Sequence, residues 1–483
     1  MNKERKLHLC TDYYQLSVSN IYMMNGSKDK TAVFDVFIRK NPFEGGYTVF
    51  AGLEQVIEYI ETLRFSEEDI QMLKDNHPEL VPEFLDYLRN FKFTGELYSL
   101  KEGEIFFPQE PIIRIKAPII EAQILETAIL AIVNHQSLIA TKASRVCRAA
   151  GKGMVLDFGT RRAHGTEAGL YGARACLIGG CAGTSNVEAE YFFDTVSKGT
   201  MSHAYVMSYK DEFEAFCDFA KYNEDNVIIL VDTYDTLGSG VPNAIRLFDK
   251  LKAEGKTKGI RGIRLDSGDM AYISKKARKM LDEAGHSDAI ISASSDLDEY
   301  LINDLKNQGA KIDSWGVGTK MITAFDCAAL GGVYKLSEYD CEGEKLPKMK
   351  FSDTPSKITN PSYKRIVRLR DKTSGIALAD LIALNDEVID ESKPLTIFHP
   401  VFTYKKRTIE NFYCEELLEC IYKDGKLCYD SPSVQEIAVY HKEKIATFWE
   451  ENLRFVNPHE YHIDISDELY AMKHELMRSH KKE

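Results

Sequence analysis

Between residues 136 and 340, short apolar runs alternate with amphipathic helical stretches, and this alternation restricts the fold more than any other feature of the chain. The runs fall at residues 154–158, 176–178, 204–207, 227–231, 260–265, 289–293, 314–317 and 333–336. Helical stretches at 211–222, 241–253, 270–284 and 297–307 separate several of them. Strands alternating with helices of this length imply βα units around a parallel sheet. Runs at these eight places predict an α/β fold whose strands close into an irregular, TIM-like barrel.

The flanking segments read differently. Residues 32–38 are rich in β-branched and aromatic side chains and predict a strand that stops before Pro42, which cannot continue a ladder. Residues 53–63 and 82–88 have helical periodicity, and 339–363 reads as a long polar loop. Residues 366–369 predict a strand, and the C-terminus a charged helix. The expected domains are an N-terminal α/β domain over 1–135 and a barrel carrying the active site over 136–340. A C-terminal region over 341–483 is expected to pack partly back on the N-terminal domain.

Composition excludes several classes. The chain has 483 residues, with 61 basic against 74 acidic side chains and a net charge of −13. A field of that sign repels nucleic acid and anionic membranes, so any phosphate site has to be a local basic cluster. The ten cysteines are scattered; Cys414, Cys420 and Cys428 are closest, at a spacing that fits neither a zinc knuckle nor a CxxC pair. Reduced thiols in the cytoplasm are expected. The N-terminus lacks an apolar signal core, and the most apolar helical run contains Glu121, Glu126 and His135, which argues against a membrane span.

In a parallel barrel, functional side chains gather at the carboxyl ends of the strands. Polar clusters stand at those places here: 157–162, His203, 232–235, 264–269, 294–296 and 316–319. Phe158, between Asp157 and Gly159, suits stacking on a planar ligand, although a core position fits it equally. Arg161 and Arg162 offer forked donors for a carboxylate or phosphate. His203 follows small polar residues, and Asp232 is a candidate to fix its tautomer and raise its basicity. In 264–269, a carboxylate could hold ribose hydroxyls or Mg²⁺ while Arg264 meets an anion; a self-contained ion-pair loop is the other reading. Gly316, Gly318 and Thr319 could present backbone N–H groups to a phosphate, or form a structural glycine turn.

Together these segments, with 11–15 near the start and 183–186, resemble the nicotinate phosphoribosyltransferase family through nearly the whole chain. The resemblance implies a homodimer with shared active sites. It implies condensation of nicotinate with phosphoribosyl pyrophosphate to nicotinate mononucleotide and pyrophosphate, coupled to ATP hydrolysis with Mg²⁺, in NAD biosynthesis. By resemblance His203 is transiently phosphorylated and Asp232 orients it. Phe158 and the other subunit's Tyr14 sandwich the pyridine ring. Arg161 and Arg264 meet substrate anions, Asp266 serves the ribose or metal side, and Gly316, Gly318 and Thr319 hold the 5′-phosphate. Arg39, Lys357 and Lys364 match basic residues around the pyrophosphate or ATP phosphates. No metal ligand set is identified. Ser362 stands where relatives carry glycine after a proline, so a turn needing positive φ there is strained.

Three rivals remain. Nicotinamide phosphoribosyltransferase carries an aspartate in the Gly-Thr turn, where this chain has Ser185, which does not repel a carboxylate. Quinolinate phosphoribosyltransferase shares the fold type but lacks the histidine element. A catalytically silent nucleotide-binding barrel is opposed by the intact His203, Asp232 and Asp266 set.

Overall fold

A computed structural model describes residues 5–256, 258–341, 343–354, 357–400 and 404–480. The chain divides into two compact units: residues 139–328 with 433–439, and residues 1–138, 329–432 and 440–483.

In the first of these, five parallel strands form one sheet, in the order Met154–Asp157, Ser314–Val317, Ile290–Ser295, Ile260–Leu265 and Asn226–Leu230. Their register pairs Val317 with Asp157, Gly316 with Ser294, and Leu230 with Arg264, so all five carboxyl ends reach one edge. Val227, Ile229, Ile263, Ile291, Ala293 and Trp315 are buried, as expected for parallel strands covered on both faces. The intervening helices Val241–Ala253, Met270–Glu283 and Glu299–Asn307 bury one stripe each; in the first it is Val241, Ala244, Leu247, Phe248 and Leu251. Asp269 and Asp298 cap the second and third by accepting from backbone N–H groups.

The closed barrel is not found among the described residues. Residues 176–178 end the helix Thr166–Ile178, and 204–207 lie in the short helix His203–Met207, capped by Ser202. Both runs are too short for periodicity to separate a strand from a buried helix turn. Residues 333–336 do form a strand, Gly332–Cys341, but it pairs antiparallel with Thr31–Ile38 in the other unit. The sheet is therefore five-stranded, extended beside Asp157 by a parallel bridge to Thr184.

The second unit holds a seven-stranded sheet and a six-stranded sheet. Thr31–Ile38 lies between Gly332–Cys341 and Ile113–Pro118 in the first sheet. The strand ends before Pro42, and Leu53–Thr62 and Pro82–Arg89 are helices, as their periodicity predicts. The expected loop over 339–363 is in part structured, because Glu344–Pro347 turns back on Gly332–Cys341 as a hairpin. Val367, Leu369, Ala379, Leu381, Ile397, Ile409 and Phe412 form an apolar cluster on the second sheet. Among the described residues no helix is long and apolar enough to cross a membrane.

Candidate active site

Asp157 ends its strand fully buried and organises two loops at once. Its carboxylate accepts from the Gly159 N–H at 2.8 Å and from the Thr184 hydroxyl at 2.7 Å. Its carbonyl accepts from the Ser185 N–H at 2.8 Å. Burial pushes this carboxyl above its ordinary range, and the Thr184 and Gly159 bonds oppose the shift. Asp157 thus sets where Phe158 and Ser185 stand.

Phe158 lies against the next strand, its N–H donating to the Val317 carbonyl at 2.8 Å. A Cβ at Gly316 would come within 2.5 Å of two ring carbons of Phe158, closer than such atoms approach. Glycine at 316 is therefore required by the aromatic ring beside it, which the phosphate reading of this turn had not included. Gly318 is less crowded, and Thr319 opens the short helix Thr319–Ile322. Arg161 stands exposed on the turn Thr160–Arg162.

His203 is the centre of the polar rim, and its side chain is 40% exposed. Nε2 lies 3.6 Å from Asp266 and 3.9 Å from Asp232, both beyond hydrogen-bond range. The close partner is the Thr233 hydroxyl, 3.2 Å from Nδ1. Asp232 is engaged elsewhere: its Oδ2 accepts from the Asp266 N–H at 3.0 Å and the Ser267 hydroxyl at 2.6 Å. Its Oδ1 is buried without a hydrogen-bond partner among the described residues. Asp266 accepts from the Ser294 hydroxyl.

Arg264 donates to the Thr200 hydroxyl, and its Nε is buried with no partner among the described residues. Burial lowers its affinity for the proton, with Asp266 and Asp232 acting against that and Arg161 adding to it. A desolvated guanidinium with an unused N–H is poised for an anion. Asp157 and Thr233 lay in clusters that the sequence singled out and Thr200 beside His203, but none was given a role, because threonines beside motif residues carry no spacing signal and a buried aspartate is told from an exposed one only by its surroundings.

Tyr14, Arg39, Lys357 and Lys364 belong to the other unit. Tyr14 is 48% exposed on the helix Tyr13–Met24, near Glu126. Arg39 follows Thr31–Ile38 and has a buried Nε without a partner among the described residues. Beside it, the Lys335 ammonium is pushed down by burial; the Glu126 carboxylate opposes the shift, and Arg39 and Lys350 add to it. Lys335 and Lys350 were not identified from sequence. Lys357 is exposed. Lys364 does not join an open cluster: it is buried, 2.7 Å from Asp35 and 2.7 Å from the Ser362 carbonyl. Its ion pair neutralises it within the fold, and burial pushes its ammonium down. Ser362 has φ 67°, the strained conformation expected where glycine is usual.

Among the described residues no group of three or more His, Cys, Asp or Glu side chains could hold a metal ion. Protein-bound Mg²⁺ commonly takes only one or two carboxylates, and substrate phosphates and waters complete its shell. The orphaned Oδ1 of Asp232, with Asp266 nearby, fits that lesser requirement.

Residues 9–134 match the nicotinate phosphoribosyltransferase (NAPRTase) N-terminal domain, residues 154–373 the nicotinate phosphoribosyltransferase (NAPRTase) family, and residues 363–473 the nicotinate phosphoribosyltransferase C-terminal domain. A nicotinate phosphoribosyltransferase of Bacillus subtilis (strain 168) is 48% identical over 482 residues, covering 99% of this chain and 96% of its own length. One of Dictyostelium discoideum is 34% identical, covering 97% of this chain and 88% of its own. The crystal structure of human nicotinic acid phosphoribosyltransferase aligns with a TM-score of 0.84 at 26% identity, over 97% of this chain and 100% of that one.

Proposed function

The chain belongs to the nicotinate phosphoribosyltransferase family, and from that premise we propose the reaction its side chains carry out. It is an enzyme of NAD biosynthesis that joins nicotinate to phosphoribosyl pyrophosphate, giving nicotinate mononucleotide and pyrophosphate. The pyridine nitrogen attacks the anomeric carbon as the C–O bond to pyrophosphate breaks. That nitrogen is already nucleophilic, so the protein supplies position and charge stabilisation rather than a strong base.

Phe158 and, from a second subunit, Tyr14 stack on the ring; Arg161 and Arg264 take the carboxylate, and the neutral Ser185 admits it. The acid is preferred to the amide on this ground. Gly316, Gly318 and Thr319 receive the 5′-phosphate, and Asp266 the ribose. Arg39, Lys335 and Lys350 form a local basic cluster of the kind that the leaving pyrophosphate or ATP phosphates need in a chain of net charge −13, and the exposed Lys357 is a further phosphate contact in this reading. Asp232 and Asp266 would hold Mg²⁺, which when bound neutralises charge on phosphate oxygens. A homodimer with shared sites and a cytoplasmic setting are part of this reading.

His203 is the site of energy coupling. A ring nitrogen forms the N–P bond with the γ-phosphoryl group of ATP as the bridging O–P bond breaks and ADP leaves; water later releases the phosphate. The observation that carries this is the accessible imidazole, held by Thr233 and facing two carboxylates at 3.6 and 3.9 Å. Incubation with γ-labelled ATP is expected to leave an acid-labile phosphate on the wild-type enzyme and none on His203→Ala. Equal labelling of the two removes His203 from this role.

A further inference from the structure

The segment 198–203 touches three parts of the site within six residues. The Lys198 N–H donates to the Thr184 carbonyl at 2.7 Å, beside Ser185. The Thr200 hydroxyl accepts from the Arg264 guanidinium. Met201 is buried and pins the backbone, Ser202 caps the next helix by accepting from the Tyr205 N–H, and His203 rests on Thr233. Arg264 has few such anchors. Asp266 and Asp232 attract it electrostatically, and its Nε is unpartnered among the described residues. The Thr200 bond therefore has a large share in fixing the plane of the fork.

We propose that Thr200 is a positioning residue that aims Arg264 at the substrate carboxylate and transmits the charge state of His203 to it. The second half rests on the reading of His203 as phosphoryl acceptor. A phosphoryl group adds up to about two negative charges at neutral pH. On His203 it would stand close to Asp266 and Asp232, the same carboxylates that attract Arg264. Repulsion there displaces the ring, and the segment, turning about the buried Met201, carries the displacement to Thr200, three residues earlier, and so to the guanidinium. No new bond to substrate is required; the same donor is re-aimed.

Thr200→Val keeps the shape and deletes the hydroxyl, while Thr200→Ser keeps the hydroxyl. Without ATP, the valine variant is expected to raise the KM for nicotinate about tenfold with kcat within about twofold, the size of a lost bond to a charged group. The serine variant restores the wild-type value, and valine adds nothing in an Arg264→Ala background. With ATP, the proposal expects the nicotinate KM of wild type to fall; the valine variant takes phosphate on His203 as wild type does but shows little of that fall. Additive effects of Thr200→Val and Arg264→Ala, or a full ATP-driven fall in the valine variant, overturn the proposal. If wild type takes no label, the reading of His203 fails, while the ATP-free cycle still decides whether Thr200 positions Arg264. Should Thr200→Val not fold, Thr200→Ala takes its place in both arms.

Discussion

Phe158 and Gly316 show how one side chain dictates another across a sheet. The ring occupies the space that any Cβ at 316 would need, at 2.5 Å. Gly316→Ala must either push the ring off its seat or shift the strand, at about 1–3 kcal/mol by analogy with overpacked cores. With the ring in its proposed role as stacking surface for the pyridine, the nicotinate KM is expected to rise at least about tenfold, with a smaller change for phosphoribosyl pyrophosphate. Steady-state kinetics on both substrates checks this; equal changes in the two KM values would point to a general distortion of the site instead. The sequence pointed to Phe158, Gly316, Asp232, Arg264 and Asp266 because each lies at or next to the carboxyl end of an apolar run, and to His203 because it lies beside another such run, which proved to be helix. It did not reveal that Thr233 rather than Asp232 makes the hydrogen bond to His203, since neighbouring residues on one loop have equal access until the backbone is fixed. Nor did it show that Lys364 is neutralised within the fold, since only the folded chain brings Asp35 to 2.7 Å from it.

Secondary-structure elements were legible where they were long or sharply bounded. The strands after 226 and the capped helices between them met expectation, whereas 176–178 and 204–207 were helix, because three or four apolar residues carry no usable period. The C-terminal helix Asp467–Ser479 was expected from its charge pattern, but its burial of a lysine was not. Lys473 is only 8% exposed and donates to Asn360 at 2.8 Å. Burial, with Lys364 adding, lowers its ammonium from 10.5 to about 8. Between those two values the unfolded chain holds more protons than the folded one, so the stability of the native state gains as pH rises through that window. Compared at each pH with Lys473→Met, which cannot titrate, wild type is expected to gain about 2–3 kcal/mol from pH 7.5 to 10.5. Chemical denaturation across that range measures it. A difference independent of pH would show that Lys473 keeps its ordinary affinity in the folded protein.

For the molecule as a whole, the alternating pattern correctly announced a parallel α/β unit, but overstated its closure. The three surplus runs went to two helices and to a strand of another sheet, and nothing local to those runs records which partner they find. The acidic net charge of −13 sends the search for phosphate contacts to local clusters rather than to the global field. What remains is whether these parts perform one reaction on one substrate. The purified enzyme, supplied with phosphoribosyl pyrophosphate, ATP and Mg²⁺, should be offered nicotinate and nicotinamide in parallel, with mononucleotide and pyrophosphate quantified. The expected result is stoichiometric nicotinate mononucleotide and pyrophosphate from the acid and little product from the amide. Turnover of nicotinamide in preference to nicotinate, or of neither, would refute the assignment.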